Sequence, residues 1–294
     1  MIINGQADVT PAVLEAMAAT PNPRLREVTS ALVRHLHAFV REVRPTEAEW
    51  EYGVEFLGRI GQANSPTHNE GVLISDALGI STLVCLLNNG DGGASETAAA
   101  LLGPFWRDNS PKCADGASIV RSATPGPRLF ASCQVLAGGK PVANARVDVW
   151  HSSPEGFYEN QDPNQAEMNL RGQFTTDAEG RFHFISVKPA GYPVPTHGPT
   201  GDLLRAQLRH PYRPAHLHFL ILKEGYKTLI TQVFTDDDPH LETDVVFGVT
   251  RALVGGYRRG EGTAPDGSDG EWWTLDYTFH LEPGEARLPV PPIA

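Results

Sequence analysis

Two hydrophobic periodicities that no single element can satisfy divide this chain. Leu25, Val28, Leu32, Val33, Leu36, Phe39, Val40 and Val43 recur at spacings of three and four, the mark of an amphipathic helix. From about Ser118 the pattern switches to alternation by two, punctuated by Gly, Pro, Asp and Asn, the mark of strands and turns. Segments 129–136, 145–151, 181–187, 215–223, 228–234 and 271–281 read as strands with no helical stripe between them. Such a run of short strands predicts a sandwich or barrel. The expected fold is mainly β, a β-sandwich core after an α-helical N-terminal segment, with domains at 1–105 and 106–294.

The helical part has internal punctuation. An Ala-rich stretch at 11–20 predicts a short first helix. Arg44-Pro45 ends the long stripe, because a residue before proline is pushed out of the helical region. Thr46 with Glu49 forms a capping box ahead of an apolar face of Trp50, Val54, Leu57 and Ile60. A further helix is expected from Thr67 to Leu87, stopping at Asn88-Asn89-Gly90, and a short piece from Ser95 to Leu102 closes this part against Gly103-Pro104. Stretches 188–213 and 235–270 are too polar and too rich in Pro and Gly for regular structure throughout, and loops of that length are usually functional. The Pro-rich tail from Pro283 reads as extended. The stripe from Leu25 needs cover, either from the sandwich or from a second copy across a two-fold axis.

Charge and cysteine content exclude several classes. A net charge of −11 without a basic run argues against a nucleic-acid backbone or an anionic membrane as partner. The N-terminus shows no basic stretch followed by an apolar core, so no secretory signal is expected, and no apolar run approaches a membrane span. Cys85, Cys113 and Cys133 are odd in number and scattered. They make no disulfide framework, and a cytoplasmic location is expected.

Arg213-Pro214-Ala215-His216-Leu217-His218-Phe219 carries the sharpest chemical signal. Residues two apart on a strand share a face, so His216 and His218 can grip one metal ion. Paired histidines of this kind are also often satisfied core residues. Tyr158, after Trp150 and Gly156-Phe157, and Tyr192, within Gly191-Tyr192-Pro193, read alone as packing residues with bonded hydroxyls.

Taken together, these pieces resemble the intradiol ring-cleavage dioxygenases, the catechol and hydroxyquinol 1,2-dioxygenase family. The resemblance rests on Leu102-Gly103-Pro104-Phe105, Trp150 with Gly156-Phe157-Tyr158, Gly191-Tyr192-Pro193, the Arg213 heptapeptide, and Leu73-Ile74-Ser75-Asp76-Ala77-Leu78-Gly79 in the leader. It covers roughly residues 20 to 255. It implies one Fe(III) per subunit, held on the β-sandwich by Tyr158, Tyr192, His216 and His218. It also implies cleavage of an aromatic diol between its two hydroxylated carbons by O2, giving a cis,cis-muconate. Two phenolates and two neutral imidazoles suit a hard ferric ion. Tyr192 would leave the metal and accept a substrate proton. Arg213 would stabilise negative charge developing on the ring. Gln232 stands where the family places a polar group behind the site, and reads equally as a satisfied strand glutamine.

By the same resemblance the helical part contributes Leu73, Asp76, Leu102, Gly103, Pro104 and Phe105 to the substrate pocket. The β part contributes Val194, Pro195, Val246 and Arg213. Stretches 198–204, 210–213 and 244–249 look like hydroxyquinol rather than catechol enzymes. His197, His240 and Trp106 depart from that pattern. Asp76 shares a helical face with Leu73 and would meet the third hydroxyl of 1,2,4-trihydroxybenzene, or else cap or pair locally. Catechol or a chlorocatechol is the alternative substrate. A non-catalytic sandwich with a copper or zinc His-x-His site is the alternative of another class. The stripe from Leu25 to Val43 further predicts a homodimer through the N-terminal helices, and lipid at the dimer region, held there by relatives of that family, is a candidate partner.

Overall fold

The computed structural model describes residues 2–65, 68–89 and 97–292. The expected helix start at Thr67, the stop at Gly90, and Ser95 lie outside these residues. By contacts the chain divides into two compact units, Met1–Arg59 and Ile60–Ala294.

The first unit contains α1 (Gln6–Met17), α2 (Pro23–Val43) and most of α3 (Glu47–Gln62). α1 begins earlier than expected because the Asn4 N–H donates to Asp8 Oδ2 at 2.9 Å, building a start ahead of Pro11. Asn22 Oδ1 caps α2 by accepting from the Leu25 N–H at 3.0 Å, with Pro23 in the first turn, where its missing N–H costs nothing. Arg44 leaves α2 in the left-handed region, φ 53°. The capping box of α3 forms as predicted: the Thr46 N–H donates to Glu49 Oε2 at 2.7 Å and the Glu49 N–H to Thr46 Oγ1 at 3.3 Å.

In the second unit the single helix expected to Leu87 is two, α4 (Glu70–Ala77) and α5 (Ile80–Asn89), bent by 79°. The break falls at Gly79, which has φ +72° and abuts Phe247. The apolar spacing runs on through Leu78 and Ile80 and hid it. Among the described residues no single helix is long and apolar enough to cross a membrane; only this bent pair passes by length and composition. The described part of the expected closing piece, 97–102, has no regular secondary structure. Its Ala100 N–H donates to Ile230 O at 2.9 Å and its Thr97 N–H to His280 O at 3.1 Å.

The strands follow as β1 (Arg128–Ala137), β2 (Lys140–Pro141), β3 (Arg146–Trp150), β4 (Arg171–Thr175) and β5 (Arg181–Val187). Next come β6 (Tyr192–Pro193), α6 (Pro199–Ala206), β7 (Tyr212–Arg213), β8 (His216–Leu222) and β9 (Leu229–Thr235). Last are β10 (Val254–Gly255), β11 (Tyr257–Arg259) and β12 (Trp272–His280). Among the described residues they form a sheet ordered β11-β12-β1-β2 with β5 also on β1, a sheet ordered β10-β9-β8-β3-β4, and the small pair β6-β7. β1 runs parallel to β12 and antiparallel to β5. β8 runs antiparallel to both β3 and β9. The region 188–213, read as mostly irregular, thus holds two short strands and α6, which starts on Pro199. β4 escaped the sequence reading because Arg171 and Gly172 break the apolar alternation, yet both are buried.

The two larger sheets close on one core, as a sandwich requires. Leu129, Ala131, Cys133 and Val135 of β1, Phe182 and Phe184 of β5, and Phe279 of β12 meet Val147 and Val149 of β3 and Leu217, Phe219 and Ile221 of β8. The turn into β5 fixes one register of this core. Gly180 sits at φ +72°, and a Cβ there would lie 2.4 Å from Val135 O. Gly180→Ala should therefore destabilise the protein by about 2 kcal/mol or more, through the left-handed backbone and the clash. Urea unfolding midpoints of the two proteins measure this, and equal midpoints would contradict it.

Candidate active site

Alternation along β8 sends Leu217, Phe219 and Ile221 into the sandwich core and turns His216, His218 and Leu220 to the opposite face. β3 does the same, with Val147 and Val149 inward and Trp150 outward. Trp150 is in register with His218 and stacks on its ring, centroids 4.6 Å apart at 10°. Both imidazoles are buried. The His216 Nδ1–H donates to Pro214 O at 2.7 Å. That bond leaves the His216 Nε2 lone pair facing His218 Nε2 at 3.1 Å.

Two tyrosines converge on the same point from outside the two large sheets, Tyr158 from a loop and Tyr192 from β6. Tyr158 Oη lies 3.1 Å from His218 Nε2, and Tyr192 Oη lies 3.4 Å from Tyr158 Oη. Tyr158 is anchored through its neighbour Glu159, both of whose oxygens accept from Arg171 Nε at 2.7 Å; Arg171 Nη1 donates to Phe105 O at 2.5 Å. This ion pair is buried, where removing one partner is far more damaging than the pair is stabilising. Tyr192 is held by the pairing of β6 with β7, opposite Arg213.

The sequence candidates are brought together to different degrees. The chain at Gly103 presses on His218: a Cβ there would meet its ring at 3.3 Å. Phe105 packs 4.3 Å from the Tyr158 ring. Leu73, Val194 and Val246 form one cluster with Ala77, Leu204 and Val245, while Leu102 packs on the Trp150–Tyr158 cluster. Pro104 and Pro195 are exposed. Trp106 is buried and its indole N–H donates to Asp148 Oδ2 at 3.1 Å, a packing role. His210 and His240, unpaired by spacing, lie with rings 4.5 Å apart, and Tyr212 stacks on His240.

Arg213 is buried against the site. Its Nη1 is 3.3 Å from His216 Nε2, its Nη2 donates to Gln232 Oε1 at 2.9 Å, and Gln232 Nε2 donates to Leu101 O at 2.8 Å. Burial opposes its charge, but Asp244 and the tyrosine oxygens hold it protonated above the ordinary arginine range. Burial pushes the Tyr158 hydroxyl well up, helped by Tyr192, and pushes both site histidines well below the ordinary value, helped by Arg213 at His216 and by His216 and Arg213 at His218. The imidazoles are thus neutral and ready to donate lone pairs. Burial also raises the Asp76 carboxyl, against a hydrogen bond from Ser81 and the charge of Arg213.

Two residues to which the sequence assigned no role hold the surroundings. Glu70, fully buried, accepts from the Thr200 N–H at 2.7 Å and lies 2.6 Å from His68 Nε2, tying α4 to the start of α6. Asp244 accepts from Arg213 Nε and Nη2, each at 3.3 Å.

Comparison with known proteins agrees with this geometry. The family description "Catechol dioxygenase N terminus" matches residues 22–95, and that of the dioxygenase C-terminal part matches 101–283. Hydroxyquinol 1,2-dioxygenase of Rhizobium sp. is 40% identical over 275 residues, 92% of each chain. The 6-chlorohydroxyquinol 1,2-dioxygenase of Cupriavidus pinatubonensis is 39% identical over 95% of this chain and 98% of its own. The crystal structure of hydroxyquinol 1,2-dioxygenase from Pseudomonas putida superposes with a TM-score of 0.89 at 36% identity, over 95% of this chain and 99% of that one. Matched along nearly its whole length, and with its paired histidines and tyrosines gathered on one sheet face, this chain belongs to the intradiol ring-cleavage dioxygenases.

Proposed function

We propose that this protein is a ferric-iron-dependent hydroxyquinol 1,2-dioxygenase. It would cleave 1,2,4-trihydroxybenzene between its adjacent hydroxylated carbons with O2, giving 3-hydroxy-cis,cis-muconate, the tautomer of maleylacetate. The observation that carries this is the buried convergence of two imidazole nitrogens and two phenol oxygens, 3.1–3.4 Å from their neighbours. Donors about 2.1 Å from one shared ion lie roughly 3.0–3.4 Å from one another. Phenol oxygens are hard donors that match ferric iron better than copper(I) or zinc. The residues therefore fit the metal, with Tyr158, Tyr192, His216 and His218 as its ligands.

When bound, the ferric ion supplies the electron-withdrawing centre that activates the diol toward O2. The chain's own groups do the rest. Tyr192, on its short strand, accepts a proton from a substrate hydroxyl. Arg213, backed by Gln232, offers a fixed positive charge where the ring turns electron-rich. Trp150 and the Gly103 backbone shield His218 from water. Leu73, Val194 and Val246 give the ring an apolar wall. Pro104 and Pro195 stand at its rim.

Asp76 supports the triol over the diol. A site built to hydrogen-bond a hydroxyl penalises the analogue that lacks it, and a half-buried carboxyl is suited to that bond. The reading also accepts the division at 105/106 and a cytoplasmic location, in keeping with three free cysteines.

The purified protein should show a visible tyrosinate-to-iron band and consume O2 faster with hydroxyquinol than with catechol. Tyr158→Phe and His216→Ala should each lose iron and colour. Full iron and colour in both variants would overturn the ligand assignment; faster catechol cleavage would overturn the substrate but not the reaction.

Asp76→Ala should shrink the hydroxyquinol-to-catechol ratio of kcat/KM. It should also alter stability in a pH-dependent way. The folded state raises this carboxyl above its ordinary value near 3.8, so it binds the proton more tightly than the unfolded chain does. Wild-type stability is then fullest below that ordinary value and declines as pH rises through the raised one. Relative to wild type, the variant should gain stability between pH 4 and pH 7, as read by urea unfolding; a pH-independent difference would contradict this.

For partners we propose a homodimer through the N-terminal helices, with lipid sharing the same apolar cover. Leu25, Leu32, Leu36, Phe39 and Val43 of α2 and Trp50 and Leu57 of α3 are each more than half exposed. Large apolar side chains exposed in this number mark an interaction surface. Light scattering at micromolar concentration should give twice the 31.9 kDa chain mass, and solvent extraction should release lipid. A monomer would refute the dimer.

A further inference from the structure

We infer that Asp244 is the positioning residue that aims Arg213 at the reacting ring and locks that aim to the pocket wall, an assignment that rests on the site being a diol-cleaving centre. Arginine presents a planar fork with five N–H donors and no acceptor. Here Asp244 takes Nε and Nη2, and Gln232 takes Nη2 as well. Both restraints act on one edge of the guanidinium. The other corner, Nη1, is left beside His216 Nε2 at 3.3 Å, toward the four donor atoms.

The same carboxylate organises the wall. Asp244 Oδ1 also accepts from the Val246 N–H at 3.3 Å, and Oδ2 from the Gly248 N–H at 2.9 Å. Val245 and Val246 are buried with Leu73, Ala77 and Val194. The loop is pinned independently of Asp244. Thr82 Oγ1 donates to Val246 O at 2.9 Å, Arg209 bridges Val245 O and Ala77 O at 2.9 and 2.8 Å, and the Val245 N–H donates to Tyr212 O at 3.2 Å. A carboxylate rooted in so fixed a loop is a rigid reference for the arginine. The space is also tight: a Cβ on Gly248 would lie 3.1 Å from Arg213 Nη2 and 3.2 Å from Asp244 Oδ2. Without Asp244, the guanidinium keeps Gln232 at Nη2 and the His216 contact at Nη1 but loses the restraint on Nε, and its plane can swing. Small losses of aim in a reacting site are costly.

A double-mutant cycle tests this, with Asp244→Asn, Arg213→Gln and the pair. Asp244→Asn should lower kcat between about tenfold and a hundredfold for hydroxyquinol and catechol alike, with KM changing less. In the Arg213→Gln background the same change should cost less than about twofold, because residues acting through one another are not additive. Equal losses in both backgrounds, or an unchanged kcat in the single variant, would overturn the assignment. Should Asp244→Asn fail to fold, Gly248→Ala crowds the same pair while leaving every partner in place, and the same two-background comparison decides. A readout free of turnover uses iron-free protein. The Arg213 Nε–H should exchange slowly by nitrogen-15 NMR in wild type and fast in Asp244→Asn; equal rates would refute the coupling. Absence of any diol cleavage by the wild type would defeat the proposed function, and the exchange measurement would still judge the Arg213–Asp244 pair.

Discussion

The alternation of side chains along β8 is the constraint on which the site depends. β8 lies between β3 and β9, and Leu217, Phe219 and Ile221 are committed to the core. Burying each such side chain stabilises the fold by about 1.5–3 kcal/mol. A one-residue slip would expel all three and drive both histidines into the core. The imidazoles thus inherit their position from the hydrophobic register of the sheet. β3 shares the arrangement, placing Trp150 against His218.

The tyrosines obtain the same precision by other means, because neither lies on the two large sheets. Tyr158 is held through Glu159 and the buried Arg171, and Tyr192 by its pairing across from Arg213. Buried charges are costly unless paired. Here Glu159 takes the Arg171 Nε and Phe105 O takes Nη1, beside a tyrosine that faces the donor cluster.

The sequence was legible where periodicity carries the information. Strands with one apolar face, the stripe of α2, and the capping box at Thr46 could all be read from spacing. His216 and His218 could be placed on one face for the same reason. The tyrosines could not be derived this way, since nothing periodic marks a loop residue; only the resemblance picked them out. The break between α4 and α5 was hidden because the apolar spacing continues across Gly79. Asp244 and Glu70 were invisible as anchors because their partners lie far off in the chain, Arg213 by 31 residues and Thr200 by 130. Only folding brings such polar groups together.

The bend at Gly79, wedged against Phe247, has an evolutionary consequence. The atoms suited to chemistry sit on a sandwich whose register tolerates little change. The wall proposed to meet the rest of a substrate sits on a bent helix pair and an adjoining loop, which contribute no atom to the His216–His218–Tyr158–Tyr192 cluster. Sequence drift at the bend can reshape what fits while the reaction machinery stays put. In the proposed reading, reaction and selectivity become nearly separate axes of variation that cross at the carboxylate of residue 244.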